Sequence, residues 1–353
     1  MSRARIKDIA AELGLSPATV SRALSDSGLV AEPTRSRVRE AAQRLNYRPN
    51  VSARNLRTQR SMAVLMVVRD IGNPFYLDIV KGVEAAAREA GYSVLMGNTE
   101  NNAEREVEYF DMLRDGHADG MILITGKLPD AESLPEALHD LPVVVALEPI
   151  EESGLPHVMI DNIGAAREAV EHLIKLGHKR IAHIAGPIPE AMATLRREGY
   201  RRAMQGAGLE LRADYEVIGD YQLPSGERHC RQLFSLSEPP TAIFVANDEM
   251  AFGAINELRR MSVSVPEEVS IVGFDDIFLS QAFYPPLTTV SQPRTAIGRE
   301  AMRLLLEVMH GESHTGEIIM MPTTFQTRAS TAPLRGASAS ARTGETVFGK
   351  RHA

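Results

Sequence analysis

Along the first sixty residues the apolar side chains recur only every three or four positions, whereas from Met62 onward short apolar runs alternate with stretches of that helical spacing. In the first part, Ile6, Ile9, Ala10 and Leu13 mark one face of a short helix. Gly14 can leave it with positive φ. Ser16 followed by Pro17 supplies an N-cap hydroxyl and a proline at the first helical position. Val20, Ala23 and Leu24 then form the apolar face of a second helix, and a third is predicted over 34–45 with Val38, Ala41, Ala42 and Leu45 inward. Two short helices joined by a tight Gly-containing turn make a helix-turn-helix, with the third closing its core.

In the second part, strands are predicted over 63–68, 93–96, 120–124, 143–146, 157–160, 180–184, 242–245, 270–272 and 288–290. Amphipathic helices over 77–90, 104–114, 165–176 and 250–261 fall between them. Alternating strands and helices imply parallel sheets covered on both faces. So many strands divide better into two doubly wound lobes than one, with ligand at the carboxyl ends of the strands between the lobes. The fold class is therefore α/β: a three-helix headpiece on a two-lobed body.

Charge sharpens the division. Residues 1–60 hold 12 of the 39 Lys/Arg but only 5 of the 46 Asp/Glu, on a chain of net charge −7. A basic, helically patterned block on an acidic body is the footprint of a nucleic-acid-binding module. The second helix would face the major groove with Pro17, Ala18, Thr19, Ser21 and Arg22 outward. Arg22 is the one residue there able to grip guanine O6 and N7 together, while Ala18 can touch a thymine methyl. Thr19, Ser21, Thr34 and Arg35 suit phosphate contacts.

The runs IKDIAAELGLSPATVSRAL and VAEPTRSRVREAAQRLNYRPN resemble the DNA-binding headpiece of the LacI family of bacterial transcriptional regulators. Ser16 to Arg22 match its Ser/Thr-X-X-Thr-Val-Ser-Arg core, and Asn46 to Pro49 its closing Asn-Tyr-X-Pro. Ala31 departs from the Ser or Asn of many members, which removes a phosphate contact or helix cap. The resemblance implies that 49–60 is a hinge helix ordered on operator and paired across a homodimer in the minor groove. There Ala53, Leu56 and Arg57 would meet DNA, with Leu56 wedged into a base step. Read without the family, Leu56 is a linker residue packed on the body. So short a helix does not hold in isolation.

The resemblance extends to about residue 328 through Asn73-Pro74-Phe75-Tyr76, Leu176-Gly177-His178, Arg196-X-X-Gly199-Tyr200, Ala246-Asn247-Asp248, Gly273-Phe274-Asp275-Asp276 and Pro286 to Val290. It implies a periplasmic-binding-protein-like body whose effector pocket is lined by Asn73, Phe75, Tyr76, Arg196, Tyr221, Asn247, Asp275 and Gln292. In chemical terms, Phe75, Tyr76 and Tyr221 offer rings to stack on a sugar or base. Arg196, in the turn after the 180–184 strand, and Asp275 offer a pair to grip vicinal hydroxyls. Asn247 supplies donor and acceptor together. Each also has a plainer reading: Phe75 as core, Arg196 as a surface ion pair, Asp248 as an N-cap. Leu147-Glu148 stand where many sugar-responsive members have Asp-Arg. LEPIEESGLPHVMIDN and IGREAMRLLLEVMHG are instead similar to cytidine-responsive members, and NTENNAERE and YEVIGDY to ribose-responsive ones. The effector expected is a nucleoside or a pentose, with a repressor of another sugar class as the alternative.

The organisation expected is thus headpiece 1–48, hinge 49–60, body 61–328 and a disordered tail 329–353. The body's lobes are about 61–161 with 293–325, and 162–291. No phosphate-cradling glycine motif, nucleophile elbow or metalloprotease motif is present, so no enzyme, cofactor or metal is expected. His310 and His314 sit among Gly311 and Gly316, which favour a turn over a metal-binding helix. One cysteine, Cys230, precludes an intrachain disulfide. No apolar run spans a membrane and none resembles a signal peptide, which predicts a cytoplasmic protein and disfavours a sugar-transport role. The partners expected are a palindromic double-stranded DNA operator, a small-molecule effector and a second copy, with no membrane. An α/β enzyme using Asp275, Arg196 or Asp161 lacks a nucleophile–base pair.

Overall fold

The computed structural model describes residues 4–25, 29–47, 60–129 and 141–334. The chain separates into two compact units, up to Ser61 and from Met62 onward.

The first unit holds α1 (Ile6–Leu13), α2 (Pro17–Leu24) and α3 (Glu32–Arg44). Gly14 ends α1 at φ 63°. Ser16 Oγ accepts the Thr19 N–H at 3.1 Å and so caps α2. α3 starts two residues before the predicted position because Pro33, which needs no N–H partner, sits in its first turn; Ala31 gives it no side-chain cap. Ile9, Ala10, Val20, Ala23, Val38, Ala41 and Ala42 make the core. A 2.7 Å pair between Glu12 and Arg44 ties α1 to α3.

The second unit contains two six-stranded sheets. The first runs β11 (Ile318–Met321), β5 (His157–Ile160), β4 (Val143–Ala146), β3 (Gly120–Ile124), β1 (Ala63–Val68), β2 (Ser93–Asn98) and is parallel throughout. The second runs β12 (Thr324–Gln326), β10 (Thr288–Ser291), β9 (Ser270–Asp275), β8 (Ala242–Val245), β6 (Ile181–Ala185), β7 (Glu216–Ile218), parallel except for β12. β1, β3, β4, β8 and β9 are buried along their whole length, as strands covered by helices on both faces must be. The helices are α4 (Tyr76–Glu89), α5 (Ala103–Arg114), α6 (Asn162–Lys175), α7 (Ala191–Gly206), α8 (Leu223–Phe234), α9 (Asp248–Arg260) and α10 (Arg294–Met309).

The chain passes between lobes three times: before α6, before α10 and between β11 and β12. The expected span of the first lobe, 293–325, needs correction at its end, since the third crossing puts β12, and hence Thr324 and Phe325, in the second lobe. α10 lies on the first lobe, against α4 and under β3 and β4. That crossing is so close that a Cβ at Gly82 would overlap the Thr295 carbonyl and one at Gly298 the Ile79 carbonyl.

The expected tail needs correction at its start. Residues 329–334 seal the amino ends of β9 and β10. The Ile271 N–H donates to Ser330 O at 2.8 Å, Ser330 Oγ–H to Ile271 O at 2.6 Å, and the Leu334 N–H to Leu176 O at 2.9 Å. Ser330 is fully buried. This segment lacks apolar periodicity because backbone and hydroxyl hydrogen bonds hold it, and these leave no such trace in sequence.

Candidate functional site

Both sheets share one strand order, with the first strand of each lobe between the second and the third. In such sheets ligands bind at the carboxyl ends where the order reverses. Those points are the ends of β1 and β3 in the first lobe and of β6 and β8 in the second. Between them lies a cavity of about 90 Å³, lined by residues of both lobes.

From the second lobe come Arg196, Asp275, Asn247 and Tyr221. Arg196 is 2% exposed. It lies in the second turn of α7, not in the turn before that helix. Its Nε donates to Asn162 Oδ1 at 3.0 Å and its Nη1 to the Ala246 carbonyl at 2.6 Å. Its guanidinium stacks 3.7 Å above the Phe274 ring and stands 3.5 Å from Asp275 Oδ1. Asp275 ends β9 with φ 118° and accepts from Gln292 Nε2 at 2.8 Å. Burial pushes its carboxyl up, against the pull of Arg196 and Arg294. Tyr221 has φ 68°, a strained conformation for a large side chain, and its carbonyl is held by Asn247 Nδ2 at 2.9 Å. Its hydroxyl is buried and has no protein partner among the described residues. Leaving a buried hydroxyl unpaired costs about 1–3 kcal/mol, which a bound ligand's polar group would recover.

From the first lobe come Arg69, Asp70, Asn73, Tyr76 and Asn101. Arg69, just past β1, donates from Nε and Nη2 to the Thr125 carbonyl just past β3, at 3.1 and 2.9 Å. The same guanidinium pairs with Glu148 of the first lobe and Glu190 of the second. Glu148 is 1% exposed, and burial pushes its carboxyl up to about 7 despite Arg69 beside it.

In the helix-turn-helix unit, Pro17, Ala18 and Arg22 are exposed and Thr19 and Ser21 half-buried. The hydroxyls of Ser16 and Thr19 bond each other at 2.8 Å. Arg35 donates to Val30 O at 3.1 Å and pairs with Glu32 at 3.2 Å.

Comparison with known proteins matches residues 5–50 to the bacterial regulatory proteins of the lacI family and 170–331 to a periplasmic binding protein-like domain. The chain is 41% identical over 313 residues to the HTH-type transcriptional repressor CytR of Escherichia coli K12, covering 89% of this chain and 92% of that one. The chain belongs to the LacI family. Its fold matches the lac repressor dimer bound to operator and the anti-inducer ONPF, with a TM-score of 0.85, 27% identity, and coverage of 94% of this chain and all of that one. A LacI-family regulator from Enterococcus faecium with bound ribose matches at a TM-score of 0.69 and 27% identity, over 77% of this chain and all of that one. This LacI-family chain is thus a DNA-binding, ligand-responsive transcriptional repressor, and its relatives are regulators.

Of the residues expected in its effector pocket, Asn73, Tyr76, Arg196, Tyr221, Asn247 and Asp275 line the cavity, and Phe75 and Gln292 do not. Phe75 is a core residue, 5% exposed, set edge-on to Tyr76 with ring centroids 5.4 Å apart. It precedes α4 in helical backbone, and one residue's rotation sends its ring inward while Tyr76 faces the cavity. Gln292 stands behind Asp275 and orients it. Asn247 spends Oδ1 capping α9 through the Met250 N–H at 3.1 Å. Asp248 is no N-cap: it is fully buried, accepting from Ser280, Thr289 and the Ile277 N–H. Ala53, Leu56 and Arg57 lie outside the described residues. Sequence reasoning missed Arg69 and Glu190, and marked Glu148 only as a departure from sugar-responsive members. The strand-end rule pointed to Arg69 and Glu148, but their meeting depends on strand order. Cys230 is buried, and burial pushes its thiol up to about 12. Among the described residues no helix is long and apolar enough to cross a membrane.

Proposed function

We propose that this repressor works in the cytoplasm as a homodimer whose operator affinity is set by a nucleoside or pentose held between its lobes. Arg196 and Asp275, buried side by side in the cavity wall, carry this reading. A fixed guanidinium and carboxylate grip vicinal hydroxyls with both donor and acceptor, as a ribose ring requires. The lining adds Asp70, Glu190 and Asp220 to Asp275, against Arg69 and Arg196 alone. This excess of negative charge favours an uncharged ligand over a phosphorylated one. The ribose bound to the Enterococcus relative and the resemblance to cytidine-responsive members point the same way.

Drug-sized ligands occupy pockets of about 300–1,000 Å³, so a cavity of about 90 Å³ requires the lobes to part before a nucleoside enters. Binding then acts through its preference for one lobe arrangement. The headpiece would read the operator through Pro17, Ala18 and Arg22. Ser16, Thr19, Ser21, Thr34 and Arg35 would stand near phosphates, and Ala53, Leu56 and Arg57 in the minor groove. Exposed apolar side chains on both lobes, Ile71 and Leu77 on the first and Phe278, Leu279 and Tyr284 on the second, suit burial against a second copy.

A thermal-shift panel of cytidine, uridine, adenosine, ribose, arabinose and a hexose tests the effector. A ligand at 100 times its Kd stabilises the body by about 2.7 kcal/mol, a shift of several degrees in Tm. A shift with a nucleoside or pentose is the expected result. A shift with the hexose alone, or with none of the six, contradicts the assignment.

A further inference from the structure

Arg69 carries more carboxylate than it needs. Within the first lobe its guanidinium already has the Thr125 carbonyl and the buried Glu148 side chain as partners. Its pairing with Glu190, across the cleft, is additional. Glu190 occupies the N-cap position of α7 without capping it, so its side chain is available to the other lobe. It is also the more accessible partner, with 24% of its side chain exposed against 2% for Glu148.

The helix that begins at Glu190 carries Arg196 six positions on, about 9 Å along the axis. One rigid element thus bears both the ligand-facing guanidinium and the carboxylate that reaches the opposite lobe. Drawing Arg196 toward a ligand seated on Tyr76 and Asn73 carries Glu190 toward Arg69. Arg294 also links the lobes, donating to the Asp276 carbonyl and to Asp78, each at 2.9 Å. It stands at the start of α10, where the chain itself crosses, and also donates to the Asp275 carbonyl, so that link is built on the crossing point and uses neither Arg69 nor Glu190.

We infer that Arg69 is a positioning residue for effector response: its pairing with Glu190 latches the lobes closed, and Glu148 holds its guanidinium in place while competing for its charge. The inference rests on the proposed function only in taking lobe closure as the signal. The two acidic partners then have opposite effects. Removing the charge of Glu190 breaks the latch. Removing that of Glu148 leaves Arg69 to Glu190 alone and strengthens it.

The test is electron–electron distance measurement between spin labels at Arg105→Cys on α5 and Arg202→Cys on α7, whose native side chains are 43% and 55% exposed, in full-length protein. A labelled protomer is diluted into unlabelled protein so that only distances within one chain are read. The buried Cys230 stays unlabelled. Without any ligand, Glu190→Gln is expected to lower the closed-to-open ratio by about fivefold, as loss of a pair worth about 1 kcal/mol does. Glu190→Asp is expected to stay nearer wild type, and Glu148→Gln to raise the ratio. An unchanged distribution in Glu190→Gln, or a shift of both glutamine variants in the same direction, overturns the latch. Because neither ligand nor DNA enters, failure of the effector assignment leaves this result standing, and the reverse.

Discussion

Replacing Arg196 with methionine is expected to weaken effector binding by at least about 100-fold and to destabilise the body by about 3–5 kcal/mol. The guanidinium is the hub of the second lobe's switch point. It satisfies Asn162 and the Ala246 carbonyl, stacks on Phe274 and lies beside Asp275. Methionine fills much of the volume but leaves the buried Asp275 with Arg294 as its remaining neighbouring cation, and two acceptors without a donor. Arg196→Lys restores charge without the planar fork, so stability should recover further than affinity. Calorimetric titration and thermal melts of the three proteins separate these effects. Unchanged affinity in Arg196→Met would remove the cleft as the effector site.

Arg22→Ala is expected to cost about 1–3 kcal/mol in operator binding, roughly 5- to 150-fold, and to relax base preference at one position in each half-site. Arg22 is exposed in the last turn of α2, whose core contacts come from Val20 and Ala23. The truncation leaves those core residues in place, and circular dichroism checks that the headpiece stays folded. Substituting each operator base pair in turn locates the change. A uniform loss across all sequences would make Arg22 a phosphate contact, and full discrimination would give base reading to another residue.

Much of the architecture was legible because buried parallel strands write themselves as unbroken apolar runs: 63–68, 120–124, 143–146, 157–160 and 242–245 stand as predicted. β7, β11 and β12 were not, being short edge or near-edge strands with exposed positions. Helices of the headpiece were legible through caps, since Ser16, Pro17 and Gly14 act locally. The cleft was legible in part. Arg196, Asp275 and Tyr221 stand in motifs that name themselves. Arg69 meets Glu148 from 79 residues away through the order of strands in its own sheet, and Glu190 from 121 through the facing of the two lobes. The departure at Leu147-Glu148 was visible as a change of charge; its partner was not. Phe75 and Tyr76 show the limit of motif reading at one-residue resolution, since adjacent rings at a helix start face different surroundings.

Control of operator affinity from the cleft is tested most directly by operator binding of the full-length protein, measured by fluorescence anisotropy at fixed salt with and without a saturating ligand from the thermal-shift panel. A change in operator Kd of about 5- to 150-fold is expected when the cleft is filled, absent in Arg196→Met. An operator Kd that stays the same while ligand occupies the cleft would contradict such control.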